Sequence, residues 1–163
     1  MIYRSLVLLH VLAVLAFVLI HGASIAAALR IRSERDVSRI RNHLELSRDT
    51  VGILHATLFL VVVTGVILGF AGGLWGRGWI WAAIGVVVAL WVAMGLRGTR
   101  YYDRLRAAVG AGQFYGNEPA TEEPRASEAE IMALARSGRP LLMVWIGVAG
   151  LGILTWLMVL KPF

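Results

Sequence analysis

Hydrophobic and polar positions along this chain fall into long blocks rather than into short alternating patterns. Four stretches contain no charged residue, namely 5–29, 50–76, 78–96 and 140–160. Each is close to the roughly 20 residues that cross the hydrocarbon core of a bilayer as a helix. A water-soluble helical domain would carry charges on every turn or two of each helix. The pattern therefore predicts an all-α integral membrane protein, a single domain of four transmembrane helices spanning about residues 4–29, 48–72, 78–97 and 140–160.

The polar connections also carry helical signals. Val37, Ile40, Leu44 and Val51 recur at helical spacing, which predicts an amphipathic helix that continues into the second span. Ser33, with Asp36 three residues later, predicts the start of that helix. The third span is expected to continue as a helix past Arg97, through Tyr101, Tyr102 and Leu105.

The second long connection changes composition along its length. Residues 110–126 are rich in glycine, proline and acidic residues, which predicts a flexible loop. Ser127 and Glu130 then match a capping box, so we expect a short helix that ends near Gly138. Pro140 suits the first turn of the fourth span, where its missing N–H is harmless.

The distribution of basic residues predicts the orientation in the membrane. Of 16 basic residues, six lie between Arg30 and Arg48 and seven between Arg97 and Arg139, which leaves three on the opposite side. By the positive-inside rule, both long connections face the cytoplasm and both termini lie outside. The net charge of +6 therefore indicates topology and contact with anionic lipid, and nucleic acid is not expected as a partner. The alternative of a cleaved signal peptide is disfavoured, because the first apolar run exceeds the usual 7–15 residues.

Small residues recur at helical spacing on two spans. Gly65, Gly69 and Gly73 form such a series on the second span, and the third carries Gly78, Ala82, Gly85 and Ala89. Faces of small residues let helices approach closely. They predict either packing within the bundle or a homo-oligomer, and the lipid bilayer is the other expected partner.

Two histidines, His10 and His21, lie in the first span, and His55 lies in the second. Counted from the predicted inner ends of their helices, His21 and His55 lie at depths of about 12 and 9 Å. Two imidazoles from facing helices are what a six-coordinate b-type haem needs, and imidazole also suits copper or zinc. We therefore take His21 and His55 as candidate haem or metal ligands and His10 as a second, weaker candidate. Haem b is a possible cofactor, and copper is less favoured.

Alternatives remain open for these histidines. Each ring can instead donate a hydrogen bond to a threonine or carbonyl of a neighbouring helix and serve packing alone. A proton-handling role is a further alternative. A metal permease is another, but it is disfavoured because the five methionines form no motif and the chain contains no cysteine. The charge-free stretches offer no acid–base pair, and the chain contains no P-loop and no nucleophilic triad. The leading hypothesis is therefore a non-enzymatic binding or assembly protein, with a redox haem or metal protein as the alternative.

Several segments resemble a known group. LVLLHVLAVLAFVLIHG, residues 6–22, resembles the "LHVL…W-x-GG" first helix of the bacterial CopD-like membrane superfamily. GRGWIWAAIGVVVALWVAMG and WLMVLKP resemble a small branch of it, which comprises four-helix integral membrane proteins of unknown function. The resemblance covers most of the chain apart from 110–130 and implies a bacterial inner-membrane location. Relatives are linked to copper handling, and one branch is a haem-binding protoporphyrinogen oxidase. His10 matches the motif histidine, whereas His21 lies near the tryptophan–glycine element and has no counterpart.

Overall fold

The computed structural model describes residues 1–112, 119–121 and 123–163, apart from the side chain of Asp49. These residues form helices and turns without a β-strand, which confirms the predicted all-α class. The helices are α1 (Ile2–Ser33), α2 (Val37–Ala71), α3 (Gly78–Met94), α4 (Arg100–Ala108), α5 (Glu128–Ala135) and α6 (Arg139–Leu160). A 3-10 turn, Leu74–Gly76, lies between α2 and α3, and a π-helical turn, Gly95–Thr99, joins α3 to α4.

Four helical stretches are long and apolar enough to cross a membrane, which confirms the predicted number of spans. They are Ile2–Ser33, Val37–Ala71, Gly78–Ala108 and Glu128–Leu160, each with a mean hydropathy between 2.2 and 2.5 over its most apolar 18 residues. Large apolar side chains such as Phe59, Trp91 and Val159 are exposed on their outer surface. Apolar patches of this extent mark a surface that faces something other than water. The side of the membrane on which the termini lie stays a prediction.

The long helices pack as two pairs. α1 packs along α2, α3 packs along α6, and α1 contacts α6. Between α3 and α6, the side chain of Leu90 presses on the backbone of Gly150, and Trp79, Ala83 and Leu157 form a small buried cluster. α2 and α3 follow each other in the chain, yet a groove separates them along part of their length. This groove contains the candidate site.

One end of the bundle, which we call the basic end, carries both long polar connections. A small core closes it, and its fully buried side chains include Ile31, Ile40, Leu44, Tyr101, Leu105, Val109 and Ile131. Tyr101 Oη donates a 3.1 Å hydrogen bond to the carbonyl oxygen of Leu134 and so ties α4 to α5. The predicted helical extensions are therefore present, and they form a folded cap at this end.

The helix boundaries agree with the sequence in part. Ser127 and Glu130 form the predicted capping box of α5, and Pro140 lies in the first turn of α6. The predicted start at Ser33 is wrong, because Ser33 is the last residue of α1. Asp36 caps α2 instead, and its carboxylate accepts a 2.8 Å hydrogen bond from the backbone N–H of Ser38.

The predicted flexible loop, 110–126, lies partly outside the described residues, at 113–118 and 122. Its described ends form backbone hydrogen bonds with each other and with α4. The N–H of Thr121 donates to the carbonyl of Gly110 at 2.9 Å, and the N–H of Arg125 donates to the carbonyl of Ala108 at 3.0 Å. Gly110 has φ +73°, and an added Cβ there would meet the Glu123 carbonyl at 2.6 Å, so this turn requires glycine.

The small-residue faces have different neighbours. Gly65 lies against His10 of α1, and Gly69 lies against the ring of Trp75. Gly73 falls outside α2, in a turn with φ +61°. On α3, Gly78 lies against Phe163 and Ala82 packs on the cluster that contains Leu157 of α6, whereas Gly85 has open space around it. A homo-oligomer through either face stays a prediction.

Candidate ligand groove and histidine sites

His10 joins α1 to α2 through a hydrogen bond. Its Nδ1 lies 2.8 Å from Oγ1 of Thr64. The single proton of the Thr64 hydroxyl is taken by its own helix, since the carbonyls of Leu60 and Val61 lie 2.6 and 3.1 Å away. Nδ1 of His10 is therefore the donor, and Nε2 carries the lone pair. An added Cβ at Gly65 would lie 3.3 Å from the His10 ring, so the glycine leaves room for this contact.

His21 is buried where α1 meets α6. Its ring is 7% exposed and stacks on Phe17, with ring centroids 5.7 Å apart and planes 12° from parallel. Nε2 faces the backbone of Gly147, where an added Cβ would lie only 2.6 Å away. Among the described residues, neither ring nitrogen has a hydrogen-bond partner. Burial of a polar ring without a partner costs free energy, so a ligand at this position would remove a penalty.

His55 is the opposite case, because its ring is exposed and partly satisfied. Its Nδ1 lies 2.8 Å from the carbonyl oxygen of Val51, one turn earlier on α2. A carbonyl only accepts, so Nδ1 is the donor and Nε2 is left as an acceptor. Gly52, close by on the same helix, has open space around it.

His21 and His55 line the same space. A cavity of 120 Å³ has both rings in its wall together with apolar residues. A larger groove of 780 Å³ also includes both rings and extends toward the basic end. Its volume lies within the range of about 300–1,000 Å³ that is usual for small-molecule sites. His55, Trp91 and Leu96 line this groove and are also exposed on the outer surface, so it opens sideways between α2 and α3.

The basic end of the groove is polar. Tyr102, Asp103 and Arg106 line it there. Arg106 is only 3% exposed, and its Nε, Nη1 and Nη2 donate to the carbonyls of Gly112, Leu44 and Ala111 at 2.8, 2.7 and 3.0 Å. The guanidinium therefore fixes α4 and the following turn onto α2, and within the described part of the chain one N–H on each Nη makes no hydrogen bond.

The π-helical turn forms part of the same wall. Gly95, Leu96, Gly98 and Thr99, four of its five residues, line the groove. Single π turns inside α-helices are rare and occur frequently at functional sites. Neither Gly95 nor Gly98 has another group within 4 Å of a built Cβ, so both face open space.

The structure thus brings together two of the three candidate histidines. His21 and His55 both line the groove, whereas His10 lies apart with Thr64, and the role of His21 and His55 as ligands stays a prediction. Within the described chain, no group of three or more histidine, aspartate or glutamate side chains is arranged to hold a metal ion. The hydrogen bond to a threonine that the sequence left open as an alternative is present for His10, with Thr64 as the partner. The sequence analysis did not single out Thr64, although depth could have done so, because His10 lies near the start of α1 and Thr64 near the end of the antiparallel α2. It also missed Arg106 and the π turn, for which the sequence offers no comparable signal.

No known protein family, curated protein or solved structure matches this chain. The resemblance to the CopD-like superfamily therefore stays a prediction.

Proposed function

We propose that this chain is a non-enzymatic, multi-pass protein of the bacterial inner membrane that binds a hydrophobic ligand between α2 and α3. The observation that supports this is the 780 Å³ groove, which contains a buried histidine without a hydrogen bond and opens sideways. A well-packed bundle would close such a space, because interiors of proteins are packed nearly as densely as organic crystals. Binding of a ligand would explain why the bundle keeps this space open.

Filling the groove from the protein side tests this proposal. Gly95→Leu places a side chain in the groove at a position where nothing lies within 4 Å of the new Cβ. Gly152→Leu on α6 is the matched control, since it has equal space but lies outside the groove wall. We expect organic extracts of the purified protein to contain a molecule in molar proportion in the wild type and Gly152→Leu, and much less in Gly95→Leu. Extracts that hold no such molecule in any of the three proteins would contradict the proposal.

A b-type haem held by His21 and His55 is a second candidate, favoured by the shared groove and by the absent hydrogen bond of His21. The residues set conditions on the fit. His55 would ligate through Nε2, because its Nδ1 donates to Val51. His21 would ligate through Nδ1 or after a turn of its ring, because its Nε2 faces Gly147. When bound, haem would supply one-electron redox chemistry, and the apolar wall would exclude water from it.

Haem reconstitution separates this candidate from the first. Protein purified in mild detergent and supplied with haem should show a Soret band that His21→Ala and His55→Ala each abolish. His10→Ala is the matched control, because its ring lies outside the groove. A spectrum without a Soret band, or one that survives both substitutions, rules out these ligands.

The proposed topology has both termini outside and the basic end in the cytoplasm. It is supported by thirteen of the sixteen basic residues lying at that end. The chain contains no cysteine, so single cysteines can be introduced at Glu34 and at Arg77 without further changes. A membrane-impermeant thiol reagent applied outside intact cells should label Arg77→Cys and leave Glu34→Cys unlabelled. The reverse pattern would overturn the topology.

A homo-oligomer is proposed through α3. Gly85 faces open space and Ala89 is exposed, so this face is available to a second copy, whereas Gly65 and Gly69 lie against groups of their own chain. If Ala89→Cys crosslinks between copies and a cysteine on the opposite face of α3 does not, the result supports this interface.

A further inference from the structure

The groove changes polarity along its length. Its middle is lined by apolar side chains such as Leu54, Trp91 and Val144, and its basic end by Tyr102, Asp103 and Arg106. A polar group of a ligand is suited to this end, and an apolar group is suited to the middle. The shape and polarity together therefore fit a molecule with a long apolar part and one polar head.

The surface beside the polar end is positively charged. Arg97, Arg100 and Arg104 are all exposed, and each directly follows a residue that lines the groove. Among the described residues none of the three has an ion-pair partner. Among the described residues, Asp103 is the only carboxylate that contributes to the wall. Basic residues at this depth attract anionic lipid by about 1 kcal/mol each.

Arg106 adds a buried charge to this end. Its three hydrogen bonds all go to neutral carbonyl oxygens, and among the described residues the carboxylates of Glu45 and Asp103 act on its charge from beyond ion-pair distance. A buried charge is costly unless an opposite charge accompanies it. The two remaining N–H groups of the guanidinium are suited to a phosphate oxygen.

From these observations we infer that the ligand of the groove is an anionic phospholipid. One acyl chain lies along the apolar wall between α2 and α3, and the phosphate head lies at the basic end near Arg106 and the three exposed arginines. The inference rests on the proposed function, because it names the class of molecule that the groove binds. The sideways opening gives such a lipid direct access from the bilayer.

The test uses the full chain in mild detergent with two lipids that share acyl chains and differ in charge. Phosphatidylglycerol and phosphatidylcholine are added separately, and retained lipid is measured by native mass spectrometry. We expect one phosphatidylglycerol to be retained by the wild type and by Gly152→Leu, with at least tenfold less phosphatidylcholine. Gly95→Leu and Gly98→Leu should each lose it. Replacing Arg97, Arg100 and Arg104 by glutamine should lower the preference by about fivefold per residue.

The outcomes distinguish the inference from the proposed function. If both lipids bind equally and Gly95→Leu removes both, the groove binds lipid without regard to charge, and the anionic class is wrong. If phosphatidylglycerol binds equally to the wild type and to both groove variants, the lipid lies elsewhere on the surface. If neither lipid binds but the wild type carries another groove-dependent molecule, the inference fails and the proposed function stands. If nothing binds in the groove, both fail.

Discussion

The contact between His21 and Gly147 can be tested by adding a single carbon atom. In Gly147→Ala the new Cβ would lie 2.6 Å from Nε2 of His21, whereas ordinary contacts begin near 3.4 Å. The ring must therefore move by several tenths of an ångström, and its stacking on Phe17 limits that movement. Overpacking of this kind costs about 1–3 kcal/mol. Gly152→Ala is the matched control on α6, because nothing lies within 4 Å of its Cβ.

The measurement is reversible unfolding in mixed micelles, followed by circular dichroism, for a double-mutant cycle. We expect Gly147→Ala to lower the free energy of unfolding by about 1–3 kcal/mol in the wild-type background. In the His21→Ala background the same change should cost little, because the ring that obstructs it is gone, which leaves a coupling energy of similar size. Gly152→Ala should be neutral or stabilise by up to about 1 kcal/mol through helix propensity.

One result would refute the reasoning. If Gly147→Ala costs the same free energy whether or not His21 is present, the ring does not press on α6. The ring would then lie in another rotamer, turned toward the groove. Such a rotamer would favour His21 as a haem ligand.

Three further predictions concern other parts of the bundle. His10→Ala and Thr64→Val should each lower the free energy of unfolding by about 0.6–2 kcal/mol. In the double variant the second change should cost little, because the two substitutions remove the same hydrogen bond. Arg106→Leu should cost more than about 3 kcal/mol in the same assay, since it leaves three buried carbonyls without their charged donor, whereas leucine at an exposed arginine of α4 should cost less than about 0.5 kcal/mol. Hydrogen bonds from the side chain and then the backbone of Ser38 lower the pKa of Asp36 below its ordinary value of 3.8. The stabilisation by this cap is thus complete above pH 3.8 and is lost as the pH falls through the lowered pKa; Asp36→Asn should flatten that part of the pH–stability curve.

Prediction from sequence succeeded where one physical quantity dominates. Charge-free length determines which segments can cross a bilayer, and the four spans follow from it. Similar depths on antiparallel helices, about 12 and 9 Å, placed His21 and His55 near one level, and both line one groove. Both arguments need only the rise per residue of a helix.

Prediction failed, or was silent, where neighbouring elements compete. Ser33 and Asp36 both offer a cap, but the Ser33 hydroxyl donates to the Arg30 carbonyl of α1, whereas the Asp36 carboxylate accepts from the backbone N–H of Ser38. Small residues occur on several faces of α2 and α3, so they could not indicate that α3 pairs with α6 and leaves a groove beside α2. Arg106 donates a hydrogen bond to the carbonyl of Leu44, which is distant in the sequence. No local sequence pattern predicts a contact of this kind.

The sideways opening of the groove determines how its occupancy should be described. A molecule that enters between α2 and α3 arrives by diffusion in the plane of the bilayer and never passes through water. Its relevant concentration is its mole fraction among membrane lipids rather than an aqueous molarity. Modest intrinsic affinity is then sufficient for saturation by an abundant lipid, and a change in membrane composition alone would exchange one occupant for another.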